Sequence, residues 1–179
     1  MTSQLRRTAL PIAVPAVFSA LIAVSTFITI PLPGGVPVTL QTFAVALAGY
    51  CLSVKGSVPA VAVYILLGAA GVPVFSGFQA GPAVLVGKTG GFIVGFLFLA
   101  ALCSLGGRLE KKALALLPGL AGLALCHLAG VLWFARLTGT GFFAAAAAVS
   151  LPFLVKDVLS VAAAMLLSLK LRTVIGRIK

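Results

Sequence analysis

Residues 113–134 read ALALLPGLAGLALCHLAGVLWF, an apolar run that contains no Lys, Arg, Asp or Glu. A helix needs about 20 residues to cross a hydrocarbon core ~30 Å thick. The run therefore has the length and composition of a membrane-spanning helix. Five further apolar runs complete a predicted set of six spans: residues 9–30, 39–54, 57–72, 89–107 and 149–171.

The composition of the whole chain agrees with this prediction. Of its 179 residues, 61% are hydrophobic and 8% are charged, whereas soluble domains carry about 25% charged residues. So few charged residues cannot cover the outside of the protein, and its outer surface must therefore face lipid. We therefore predict an all-α membrane bundle that forms a single transmembrane domain over residues 1–179.

The basic residues predict the orientation of the bundle. The formal charge is +11, but these residues form short clusters between apolar runs, which favours anionic lipid and topology over nucleic acid. With both termini in the cytoplasm, ten of them fall inside and only Lys88, Arg136 and Lys156 fall outside. The first run resembles a signal peptide but lacks a clear cleavage site, so we keep it as a span of a multi-pass protein of the cytoplasmic membrane.

Two connections have an unusual composition. Residues 31–38 read PLPGGVPV and residues 71–91 read GVPVFSGFQAGPAVLVGKTGG. Pro and Gly predict irregular backbone, which is not tolerated against lipid. We expect both segments to fold over the protein as lids on a cavity or pore. Ordinary surface loops are the alternative.

Few residues are suited to catalysis or nucleotide binding. Glu110 and Asp157 are the only acids and His127 is the only histidine, so we expect no catalytic site, metal site or cofactor. Gly87, Lys88 and Thr89 match the end of a P-loop, but the first glycine is misplaced by one residue. Because this segment is not a P-loop, any ATP hydrolysis that powers the protein must be carried out by another protein.

The outward charges are the stronger candidates for a binding site, because ionisable groups at membrane depth are usually functional or paired. A small organic anion needs a cation, and a urea or amide group needs an acceptor and donors. Asp157, Lys156 and Lys88 together supply both. Alternatively, both lysines snorkel to headgroups and Asp157 caps the sixth helix. His127 is a packing residue or a cavity residue.

Four segments, in this order and spacing, resemble the BioY family, the biotin-binding S components of energy-coupling factor (ECF) transporters. They are residues 24–33 (VSTFITIPLP) with 37–42 (PVTLQT), 71–77 (GVPVFSG), 87–96 (GKTGGFIVGF) and 151–157 (LPFLVKD). The resemblance implies six helices and a biotin pocket near the outer face. It also implies a transmembrane coupling subunit and two cytosolic ATPases as partners.

The resemblance implies roles for individual residues. Lys156 or Lys88 would bind the biotin carboxylate, and Asp157 or Gln79 the ureido N–H groups. The apolar walls of the pocket would be formed by Phe75, Phe92 and Trp133. Gly91 is a further predicted binding residue, with close helix contact or loop docking as its alternative role. The alanines with four-residue spacing in the first span would dock the coupling subunit, or else pack inside the bundle: Ala9, Ala13, Ala16 and Ala20.

The chain departs from the family pattern in two places. Lys88 replaces a common proline. Near Asp157 the family commonly has Gly before the acid and Lys three residues after it, where this chain has Lys156 and Ser160. Positions 156 and 160 are one helical turn apart, so we hypothesise that Lys156 reaches the same cavity. The alternatives are an S component for thiamine or riboflavin, a membrane scaffold without a ligand, and a membrane enzyme.

Overall fold

The structure, a computed structural model, describes residues 2–31 and 36–178. Six principal helices each overlap one predicted apolar run: α1 (Thr2–Ser25), α2 (Gln41–Cys51), α3 (Val54–Ala69), α5 (Gly90–Gly106), α6 (Lys112–Thr138) and α8 (Leu151–Ile178). Two short helices that we did not predict, α4 (Pro82–Val86) and α7 (Phe142–Val149), precede α5 and α8. The predicted all-α fold is confirmed.

Helix α2 lies at the centre of the bundle. Residues 44–51 are all buried, and the helix contacts α1, α3, α5 and α8. Its 11 residues correspond to a length of about 16 Å, which is shorter than the ~30 Å hydrocarbon core. The surrounding helices therefore shield α2 from the surface.

The turn between α2 and α3 lies slightly earlier than predicted. The gap between the second and third predicted runs, Lys55 and Gly56, lies in the first turn of α3. The chain reverses instead at Leu52 and Ser53, which have extended ψ values. The Ser53 carbonyl accepts hydrogen bonds from the backbone N–H groups of Gly56 and Ser57, each at 2.8 Å. Helical hydrogen bonding thus begins before the lysine.

Helix α1 ends at Ser25, before the predicted end of the first span at residue 30, and the chain continues as a β-hairpin. The Ser25 and Thr26 hydroxyls donate to the carbonyls of Ile22 and Ala23, at 2.6 and 2.7 Å. Such local bonds compete with helix continuation. Strand β1 (Thr29–Ile30) then pairs antiparallel with β2 (Val38–Thr39). We call residues 26–31 and 36–40 the hairpin segment.

The described parts of both irregular connections fold back onto the bundle, as predicted, and residues 32–35 of the first connection lie outside the described residues. In the hairpin segment, Val36 is buried in a cluster with Phe134 and Phe153. In residues 70–89, which we call the long connection, the Phe75 side chain is only 1% exposed. Gly77 and Gly81 take positive φ angles of 70° and 90° in this segment, which glycine adopts without a steric penalty.

The outer surface of the bundle is apolar. Large hydrophobic side chains are exposed on every principal helix except the central α2, for example Val17, Leu66, Phe98, Leu132 and Leu166. Within the described ranges, two helical segments are long and apolar enough to cross a membrane, Leu114–Thr138 and Leu151–Ile175. Three further apolar helical segments are shorter: Pro11–Ser25, Val54–Ala69 and Gly90–Gly106.

Candidate ligand-binding site

A cavity of about 270 Å³ lies between α2, α3, α5, α6 and α8, beneath the hairpin segment and the long connection. Small-molecule sites range from ~300 to ~1,000 Å³, so this cavity is slightly smaller than the usual range and admits only a small ligand. Its apolar walls include Phe75, Phe92, Ile93, Phe96, Leu123 and Phe153. Its polar groups include Thr39, Gln41, Thr42, Tyr64, Ser76, Gln79, His127, Lys156 and Asp157.

Asp157 is the buried acid of the cavity, with 5% of its surface exposed. It lies six residues after the start of α8 at Leu151, so the alternative that it caps this helix is wrong. Its Oδ2 lies 3.2 Å from His127 Nε2, and its Oδ1 forms an ion pair with Lys156 Nζ. A buried carboxylate is tolerated because it is paired in this way.

Lys156 points toward the cavity rather than away from it. Besides its ion pair with Asp157, its Nζ donates a hydrogen bond to the Thr39 carbonyl at 3.0 Å. Its side chain retains 29% exposure. These contacts contradict the snorkelling alternative for Lys156, and they join α8 to strand β2 of the hairpin segment.

His127 connects Asp157 to the junction of α7 and α8. Its Nδ1 lies 2.7 Å from the hydroxyl oxygen of Ser150, the residue between these two helices. The imidazole is buried and its ring meets the Phe92 ring edge-on, with centroids 5.9 Å apart. His127 therefore lines the cavity and is at the same time a packing and hydrogen-bonding residue, so both interpretations apply.

A second polar group surrounds Gln41 at the start of α2. The amide nitrogen of Gln41 donates to the Tyr64 hydroxyl at 2.5 Å. Its amide oxygen accepts from the hydroxyls of Thr39 at 3.1 Å and Ser76 at 3.2 Å. This group joins α2 and α3 to both the hairpin segment and the long connection, so the two covering segments share one anchor.

Two aromatic residues of the predicted walls pack directly against glycines. Phe75 packs edge-on against Tyr64, with ring centroids 5.7 Å apart, and a Cβ atom at Gly68 would overlap its ring. A Cβ atom at Gly130 would likewise overlap the ring of Phe92. Both rings therefore occupy notches that only glycine leaves open.

Five of the eight predicted ligand residues line the cavity: Asp157, Lys156, Gln79, Phe75 and Phe92. Lys88 instead lies in an open groove beside Ala83 and Gly87. Trp133 lies outside the cavity, where its Nε1 donates to the Gly87 carbonyl at 2.8 Å. Gly91 lies at a helix contact, since an added Cβ would approach the Ala129 carbonyl oxygen to 2.6 Å.

The sequence prediction omitted several polar residues of the cavity. Thr39, Gln41 and Thr42 fall in the segment PVTLQT that carries part of the family resemblance, but we assigned them no role. Tyr64 lies within an apolar run. The available signal was the polarity of these side chains at membrane depth, which usually indicates a partner or a function.

The remaining assignments concern docking and metals. Ala13, Ala16 and Ala20 are exposed on α1, whereas the side chain of Ala9 lies outside the described part of the chain. In residues 2–31 and 36–178, no three His, Cys, Asp or Glu side chains cluster as metal ligands would.

Comparisons with known proteins identify relatives of this chain. The model of the BioY family matches residues 1–177. Biotin transporter BioY of Thermotoga maritima is 47% identical over 116 residues, which cover 64% of this chain and 68% of that protein. A probable biotin transporter BioY of Pyrococcus horikoshii is 37% identical over 161 residues, 90% of this chain and 95% of the relative.

A solved structure has the same fold. It is the crystal structure of the S-component for biotin from an ECF-type ABC transporter. It aligns with a TM-score of 0.84 over 93% of each chain, at 23% sequence identity.

Proposed function

Because the chain belongs to the BioY family, we propose that it binds biotin with high affinity as the substrate-specific subunit of an ECF-type transporter. The observation that carries this proposal is the covered cavity, in which the buried carboxylate of Asp157 and its ion-pair partner Lys156 face aromatic walls. A transporter of this kind captures the vitamin outside the cell and delivers it inward.

The chemistry of biotin matches the two kinds of surface in the cavity. The ureido N–H groups need a buried acceptor, which Asp157 or Gln79 supplies. The valerate carboxylate needs a cation, which Lys156 supplies. The thiophane ring and the alkyl chain need apolar contact, which Phe75 and Phe92 supply.

Between the two candidate lysines, the geometry favours Lys156 as the carboxylate ligand. Lys156 lines the cavity, whereas Lys88 is exposed in an open groove. A charge-assisted hydrogen bond contributes about 1.5–3 kcal/mol, so Lys156→Ala should weaken biotin binding about 10- to 100-fold. Lys88→Ala is the matched control, and we expect less than a twofold change. Equal effects of the two substitutions would contradict this assignment.

We further propose that the chain forms a single six-span domain of the cytoplasmic membrane, with both termini inside. The apolar outer surface and the ten-to-three distribution of basic residues support this topology. The native cysteines are all buried and should not react with a labelling reagent. A cysteine introduced at the surface therefore reports on which side of the membrane it lies. In intact cells, a membrane-impermeant maleimide should label Lys88→Cys but not Arg108→Cys. The reverse pattern would refute the orientation.

The proposed partners are a transmembrane coupling subunit and two cytosolic ATPases. Ala13, Ala16 and Ala20 leave a small-residue surface on α1 that no described helix covers. Small residues permit close approach of another helix. Their exposure disfavours internal packing and supports a docking role.

We infer that the protein is not itself an enzyme. Ser150, His127 and Asp157 together have the composition of a hydrolase triad, but Ser150 is not among the described residues that line the cavity. Its hydroxyl is therefore not positioned to attack a bound ligand. ATP hydrolysis by the partner subunits would supply the energy of transport.

The decisive experiment is biotin binding to the purified protein in detergent. Mass spectrometry of co-purified ligand comes first, followed by calorimetry with biotin, thiamine and riboflavin as separate titrants. We expect stoichiometric binding of biotin alone. Binding of another vitamin, or of none in a folded sample, would refute biotin as the substrate.

A further inference from the structure

We propose that His127 is a positioning residue that holds the Asp157 carboxylate for ligand binding, and that a hydrogen bond with Ser150 keeps the imidazole in place. This inference rests on the proposed function, because its consequence is measured as biotin affinity. It concerns a network of three side chains from α6, α8 and the α7–α8 junction.

For a neutral imidazole, the hydrogen-bonding capacities of the three groups define one consistent arrangement. An ionised carboxylate only accepts, so His127 Nε2 must carry a hydrogen and donate it to Asp157 Oδ2 across 3.2 Å. In a neutral imidazole, Nδ1 is then an acceptor. The Ser150 hydroxyl, 2.7 Å away, must donate to it. The opposite tautomer would point a lone pair at the carboxylate.

The orientation of the imidazole is constrained on more than one side. The Phe92 ring lies edge-on to it, at an interplanar angle of 88°. Phe92 is seated in turn against Gly130, where an added side chain would overlap it. The imidazole itself is 7% exposed, so water has little access to compete for its nitrogens.

The other carboxylate oxygen remains available to a ligand. Asp157 Oδ1 is buried and, among the described residues, no hydrogen bond of regular geometry reaches it. It has the Lys156 ammonium as an ion-pair partner, and a carboxylate oxygen can accept more than one donor. With Oδ2 held by His127, Oδ1 is the oxygen that can accept a ligand N–H group. A carboxylate free to rotate would have to be ordered upon binding, which lowers affinity.

Two substitutions of His127 separate positioning from simple packing. The amide nitrogen of glutamine lies close to the place of the imidazole Nε2, whereas that of asparagine lies close to Nδ1. His127→Gln should therefore retain donation to Asp157 and keep biotin affinity within about threefold of wild type. His127→Asn should lose it and weaken binding about 10-fold, the effect of losing a hydrogen bond to a charged group.

The route through Asp157 is tested by a double-mutant cycle. In an Asp157→Asn background, His127→Asn should cause little further loss, because interacting residues are not additive. Ser150→Ala should weaken binding by about threefold, less than His127→Asn, because it removes one neutral hydrogen bond that orients the imidazole and leaves the donation to Asp157 in place. Leu125→Ala, a truncation on the exposed face of the same helix α6, is the matched control. Calorimetry on samples with the elution volume and circular dichroism of wild type gives each affinity.

Each outcome has a distinct meaning. Wild-type protein that binds no biotin would refute the proposed function and this inference with it. If wild type binds, equal affinities of His127→Gln and His127→Asn would overturn the positioning role alone, and so would losses that add fully to that of Asp157→Asn.

Discussion

Replacing Asp157 by asparagine is the most informative single perturbation of this protein. The substitution preserves the shape of the side chain and removes its charge. The fold should survive it, because Lys156 retains its hydrogen bond to the Thr39 carbonyl and 29% exposure. The asparagine oxygen can still accept from His127. Its NH2 group then takes the place of Oδ1, so the change removes both the negative charge and the acceptor that faces the ligand.

The expected loss of affinity follows from the burial of Asp157. The residue is 5% exposed, so a ligand N–H group would meet its carboxylate with little screening by water. A hydrogen bond to a charged group contributes about 1.5–3 kcal/mol. At 1.4 kcal/mol per factor of ten, the dissociation constant for biotin should rise about 10- to 100-fold.

The assay is calorimetric titration of biotin into purified Asp157→Asn protein, with Lys88→Ala as a charge-removing control outside the cavity. Both samples should show a single melting transition before titration. A dissociation constant within twofold of wild type for Asp157→Asn would refute the assignment of Asp157 as a ligand residue. An equal loss in Lys88→Ala would instead indicate a general electrostatic effect.

Three further predictions concern the covering segments and the docking surface. Gly68→Val should displace Phe75 from its notch and raise the biotin dissociation rate, measured by exchange of labelled biotin; an unchanged rate would count against Phe75 as part of the cover. Tyr64→Phe removes the acceptor of the buried Gln41 amide and should destabilise the protein by about 1–3 kcal/mol, detected as a lower Tm; an unchanged Tm would contradict this role. Ala16→Leu should leave biotin affinity unchanged and reduce uptake by cells that contain the partner subunits, whereas normal uptake would disprove docking at this site.

Local sequence patterns were sufficient for the six principal helices, although not for the short helices α4 and α7. Six apolar runs, scarce charge and Pro-Gly-rich connections each reflect a property of consecutive residues, and each corresponds to an element of the structure. The errors were also local in origin. Ser25 and Thr26 end α1 through hydroxyl bonds to the preceding turn, and Ser150 separates α7 from α8, details that hydropathy alone does not distinguish.

The candidate site was only partly predictable. Asp157 and Lys156 stood out because charge is rare at membrane depth and the family pattern surrounds them. The same argument selected Lys88, but the structure puts Lys88 in an open groove. A charged residue can be recognised in the sequence whichever way its side chain points. The direction in which the side chain points depends on the packing of neighbouring helices.

The sequence by itself determined the class of the protein, its helices and its family, because these depend on composition and on motifs of consecutive residues. Only the tertiary structure decided which groups meet. His127 and Asp157 are 30 residues apart, and Lys156 and Thr39 are 117 residues apart. Such pairs form when α2, α6 and α8 pack around one cavity, and no spacing along the chain encodes that contact.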